Sequence, residues 1–158
     1  MKTKKIICLL NVLLLSAFMI TSCSSDDDEN KGGFNINSEN YTVDNAQCSK
    51  ADWISFSVQF WRGQDSYEFS FRVYGIANVE SLKVNDDITE DIIIRNFRET
   101  SDFNAGDYEE DFEGKITVKS ISNNTIELDF SNFKFKKILS NSTTKSYAMN
   151  GTINFNRI

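Results

Sequence analysis

Between residues 53 and 74 the chain alternates apolar and polar residues twice with a period of two, and this constrains its fold more than any other feature. In Trp53–Trp61, the side chains of Ile54, Phe56, Val58 and Phe60 share one face, and Ser55, Ser57 and Gln59 share the other. In Tyr67–Tyr74, Tyr67, Phe69, Phe71 and Val73 alternate with Glu68, Ser70 and Arg72. Successive side chains of a strand point to opposite faces, so each segment reads as a half-buried β-strand. The intervening Arg62-Gly63-Gln64-Asp65 is the length of a hairpin loop. Setting Trp61 opposite Ser66 places Phe60 against Tyr67, Val58 against Phe69, Phe56 against Phe71 and Ile54 against Val73. All four pairs fall on the apolar face, and a slip of one residue would turn one strand's apolar set to water.

The rest of the chain repeats the pattern. A second hairpin is predicted at Ser122-Asn123-Asn124, between Lys115–Ile121 and Thr125–Lys136. Ile126, Leu128 and Phe130 keep one parity while Phe133 and Phe135 keep the other, which predicts a β-bulge near Ser131-Asn132. Tyr147, Met149, Gly151, Ile153 and Phe155 alternate along a last strand. Shorter strands are expected around Asn35–Val43 and Val79–Val84. In Asp86–Phe97, Asp87 offers a helix cap, but the β-branched run Ile92-Ile93-Ile94 favours a strand. Ser101–Glu113 reads as a long acidic loop. Thirteen Phe and no Pro suit a strand-built core whose turns rely on Gly, Asn, Asp and Ser. The expectation is an all-β fold over residues 34–158, a single antiparallel β-sandwich or flattened barrel of about eight strands.

The chain's start is of a different kind. Lys2, Lys4 and Lys5 precede an apolar run, Ile6–Ile20, which is shorter than the roughly 20 residues of a spanning helix. It ends in Ile20-Thr21-Ser22-Cys23, which resembles the lipobox of bacterial lipoproteins. That resemblance implies a leader over residues 1–22 and a diacylglyceryl group on the thiol of Cys23, the new N-terminus. Two or three acyl chains hold a protein far more firmly than the marginal binding of one. Ser24-Ser25-Asp26-Asp27-Asp28-Glu29 resembles the acidic export signal of surface lipoproteins in the Bacteroidetes. It implies an outer-membrane position exposed at the cell surface, the alternative being a periplasm-facing one; in either case residues 23–33 are expected to be an acidic, disordered tether. With the strand layout from Gly114 onward, the chain resembles the small β-sandwich lipoproteins of that group, a likeness of layout that brings no catalytic residues.

Loss of the leader removes three lysines, leaving fourteen Lys or Arg against twenty-three Asp or Glu, a formal charge of −9. That balance repels nucleic acid. The absence of His excludes Ser-His-Asp and Cys-His nucleophiles and Cys/His zinc sites. Cys8 leaves with the leader and Cys23 takes lipid, so Cys48 has no disulfide partner and reads as a buried, inert thiol.

Three groups of residues invite a functional reading. Trp53, Trp61 and Tyr74 fall on the polar face of the first hairpin, Trp53 directly across from Tyr74. Exposed rings there would stack on the C–H faces of sugars, with Arg72 and Gln59 near to bond hydroxyls, unless that face is itself covered. Asp86, Asp87, Glu90 and Asp91 form one acidic cluster, and Asp107, Glu109, Glu110, Asp111 and Glu113 another. Asp102, Asn104, Gly106 and Glu113 fall at positions one, three, five and twelve of a calcium loop. Asp107, however, stands where that loop's sharp turn needs Gly, so a solvated loop with no metal is expected. Paired carboxylates alone say little about glycoside hydrolysis. The expected function is a lipid-anchored binding module, not an enzyme and without a cofactor, recognising a glycan or a partner protein. An accessory subunit of an envelope complex is the alternative, and a small glycan-acting enzyme the third.

Overall fold

The structure, a computed structural model, describes residues 33–50, 53–76, 79–99, 107–108, 111–139 and 141–158. The expected leader, Cys23 and the expected tether up to residue 32, the positions Asp102, Asn104 and Gly106 weighed as a calcium loop, and Glu109 and Glu110 lie outside them. The fold is all-β. Nine strands run in chain order: β1 (Phe34–Ile36), β2 (Glu39–Lys50), β3 (Ile54–Arg62), β4 (Asp65–Val73), β5 (Ile92–Glu99), β6 (Asp107–Tyr108), β7 (Glu113–Ile121), β8 (Thr125–Ile138) and β9 (Thr144–Arg157). They form one sheet in the order β5-β4-β3-β2-β1-β9-β8, with β7 and β6 both on the far side of β8.

The first hairpin has the register derived from alternation. Trp61 pairs with Ser66, Phe60 with Tyr67, Val58 with Phe69, Phe56 with Phe71 and Ile54 with Val73. Pairing continues to Arg62 and Asp65, so the turn itself is only Gly63-Gln64. The β7–β8 hairpin turns at Ser122-Asn123-Asn124, where the Ser122 hydroxyl accepts hydrogen bonds from the amides of Asn124 and Thr125. The β8–β9 register shifts between Phe130 and Phe133, with Asn132 at a positive φ of 49°. This is the expected bulge, and it keeps Phe130, Phe133 and Phe135 all buried.

Four segments depart from expectation. Ser101–Glu113, expected as a loop, contains the short strand β6 at Asp107–Tyr108, which pairs with Lys137 and Ile138 of β8. Asn35–Val43 is two strands, because Asn37 and Ser38, both at positive φ, turn the chain so that Phe34 pairs with Tyr41. Val79–Val84 is no strand: Val79–Ser81 is a 3-10 turn that buries Val79 and Leu82, three residues apart and so on one side of such a turn. Asp86–Phe97 is strand only from Ile92, after a 3-10 turn at Thr89–Asp91, and Asp87 caps no α-helix.

The sheet curls until its two edges meet, giving the flattened barrel. The segment leading into β5 runs beside β7 at the opposite edge: the Asn85 amide donates to Val118 O, Val118 N to Asp86 O and Ile88 N to Ile116 O. Lower down, the Tyr108 hydroxyl of β6 accepts from the Phe97 amide of β5 at 2.5 Å, and the buried Lys137 ammonium donates to Phe97 O at 3.1 Å. Within, ten phenylalanines are essentially inaccessible. Phe69 stacks on Phe135 of β8 with centroids 5.8 Å apart, although four strands separate β4 from β8 in the sheet. Only a curled sheet brings those rings together.

Candidate functional site

With the barrel's interior filled by its own side chains, ligand chemistry has to be sought outside. Ile54 and Val73 are the last pair of the β3–β4 ladder, so Trp53 and Tyr74 extend it by one position with side chains pointing outward. Their rings lie 4.8 Å apart at 39°, and Trp53 is 42% exposed. These two of the three sequence-predicted aromatics thus form a solvent-facing stack, and among the described residues no second sheet covers the face.

Tyr74 also lines a cleft of about 390 Å³. Its backbone amide donates to Asp91 O at 2.6 Å, fixing the 3-10 turn at Thr89–Asp91 beside it. Ile92, Ile93 and Phe112 supply apolar wall, and Glu90, Asp91 and Asp111 supply carboxylates. Phe112 is held by its ring contact with Phe133, 5.5 Å away. A volume of this order suits a small ligand, and apolar wall with a few polar groups is how such clefts hold one.

The acidic clusters separate into structural and cleft-lining members. Asp86 accepts from the Lys83 amide at 2.7 Å and shapes a turn. Asp87 accepts from both the amide and the hydroxyl of Thr89 and pairs with Lys115 at 3.3 Å. Partial burial pushes the Asp87 carboxyl up, but the Thr89 and Lys115 hydrogen bonds outweigh it and hold it below the usual range. Thr89, although on the cleft wall, is committed too, since its hydroxyl accepts from the Ile116 amide at 2.8 Å. Glu113 pairs with Lys134 at 2.7 Å. Glu90, Asp91 and Asp111 remain, exposed and facing the cleft. Among the described residues no set of three or more His, Cys, Asp or Glu is arranged to hold a metal ion.

Trp61, also 42% exposed, stands apart. It lies eight positions along the chain from Trp53, about 26 Å at the usual strand rise. The neighbours expected for sugar hydroxyls divide accordingly: Arg72 pairs with Ser55 near Trp53, and Gln59 with Glu68 near Trp61. The cleft itself escaped the sequence reading. In the sequence Glu90 and Asp91 read only as members of an acidic cluster, and nothing local ties Asp111 or Phe112 to Tyr74.

Cys48 is buried, and burial pushes its thiol up to about 11, the Arg157 charge drawing it back only partly. A thiol so rarely ionised near neutrality is a poor nucleophile. No family model, curated protein or solved structure matches this chain, so only its own side chains speak for the chemistry of the cleft.

Proposed function

We propose that the protein is a lipid-anchored binding module of the cell surface that takes a glycan at Trp53, Tyr74 and the adjoining cleft. The observation that carries this reading is the double membership of Tyr74, which belongs to the exposed stack and to the cleft wall. A sugar ring has an apolar C–H face for the stack and hydroxyl donors for the carboxylates of Glu90, Asp91 and Asp111. An accessory subunit would instead present a broad apolar patch. Among the described residues the exposed large hydrophobics are only Trp53, Trp61, Val84 and Ile158, and the two tryptophans stand about 26 Å apart. A glycan-acting enzyme is favoured by the three carboxylates in one cleft. However, all three are exposed, and glycoside cleavage needs one carboxyl kept protonated, as a desolvated pocket does. Binding is the better account.

The test is a glycan array probed with the domain from Gly33, which contains every strand among the described residues, beside a Trp53→Ala variant. Wild type is expected to bind, and the variant to bind about tenfold more weakly or worse, about 1.4 kcal/mol, with its thermal melt unchanged. Silence from both proteins removes the glycan reading.

The anchor is proposed on the lipobox and the acidic run that follows it. Cys23→Ala is expected to abolish incorporation of labelled palmitate in a bacterial host, and label retained by that variant refutes the assignment.

A further inference from the structure

Resting on the glycan reading, we propose that the ligand is a linear, uncharged oligosaccharide. It lies lengthwise on the outer face of β3 and β4, held at one end by Trp53 and Tyr74 and at the other by Trp61. Both tryptophans point outward from one strand and are equally exposed, 42% each. The floor between them is polar throughout: the half-buried Ser55, Ser57 and Gln59 on β3 face Arg72, Ser70 and Glu68 on β4, with the short Ser57–Ser70 pair at its centre. Aromatic groups at both ends of a polar floor make a track along the strand.

Charge and shape choose the occupant. The outward side chains of this hairpin between the aromatic ends carry one acid, Glu68, and one base, Arg72. The strip is therefore balanced within a chain of formal charge −6; it offers nothing to a polyanion, which the acids of the adjoining cleft would repel as well, and it complements a neutral polyol. Its apolar contacts are confined to the two ends, so a protein partner would find no central hydrophobic patch. Two ring-binding stations about 26 Å apart on one strand need a ligand that repeats the same ring face along its length. A single sugar fills only one station. Occupying both makes the second contact intramolecular, which raises affinity without new chemistry.

The experiment uses the full-length chain in a detergent without a sugar headgroup. Affinity electrophoresis through neutral glucans, mannan, xylan and galactan identifies the retained polysaccharide, and calorimetry follows with its oligomers from one to eight units. Affinity is expected to rise about tenfold or more between the shortest bound oligomer and the longest. Trp61→Ala should erase that rise while leaving short-oligomer binding intact, and Trp61→Phe should keep most of it. Trp53→Ala should weaken every length. Equal affinity at all lengths, or a Trp61→Ala protein that keeps the rise, overturns the track but leaves the glycan reading standing. Retention by no polysaccharide and binding of no oligomer overturns both. Both tryptophans are substantially exposed, so matching thermal melts will show that the variants are folded.

Discussion

A methyl group added at Gly114 is expected to destabilise the domain by about 3 kcal/mol or more, although the position is exposed. Gly114 lies at φ +78°, a conformation that disfavours any L side chain by about 1–2 kcal/mol. Geometry adds the larger effect. A Cβ there would stand 2.1 Å from Asn132 O, 2.4 Å from Asn132 C and 2.6 Å from Ser131 O. These are backbone atoms of the β8 bulge, flanked by the buried Phe130 and Phe133, so the neighbour cannot swing aside as a flexible side chain would. Gly63 provides the control. It too is left-handed, at φ +62°, but a Cβ would meet nothing within 4 Å. Gly63→Ala should therefore show the conformational effect alone, about 1–2 kcal/mol. Urea unfolding of the two variants measures the difference. Equal losses would mean that β7 and β8 do not approach as closely as their facing bulges require.

That close approach could not be read from the chain, whereas much else could, and the division follows the range of the interactions. The β3–β4 register was legible because two period-two segments and a short turn admit one pairing that buries both apolar sets. The β8 bulge was legible for a similar reason, since a parity change inside one strand demands an extra residue. The turn at Asn37-Ser38 carried a parity change too, from Phe34 and Ile36 to Tyr41 and Val43. Ser38 at φ 68° is nevertheless an uncommon turn residue, and the usual Asn-Gly signal was missing. The start of β5 depends on Thr89 and Asp87 bonding to Ile116 and Lys115, contacts made across the barrel seam. The cleft is of the same kind. Alternation told which face Trp53, Trp61 and Tyr74 occupy, and counting along β3 separates the two tryptophans. Only the closed barrel brings Asp111 and Phe112 to Tyr74.

Closure of that barrel makes Phe69→Ala a severely damaging core substitution. Phe69 is fully buried, and its ring meets Phe71 on its own strand, Phe97 on β5, and Phe130 and Phe135 on β8. Truncation would leave a cavity at the junction of two walls, where relaxing one side opens a gap on the other. The expected loss is about 3–5 kcal/mol, a fall in Tm of roughly 10–20 °C for a domain of this size. Phe112→Ala removes a ring that is only partly buried and touches Phe133 from the rim, so it should cost about 1–2 kcal/mol. Partner dependence distinguishes a closed barrel from an open, gently twisted sheet. In an open sheet, Phe69 and Phe135 would have four strands between them and their truncations would add. In the closed barrel they stack at 16°, so a double-mutant cycle should show a coupling of about 1 kcal/mol, each deletion costing less once the other ring has gone. Strict additivity in chemical denaturation would place these rings on surfaces that never meet, and the curled sheet would have to open.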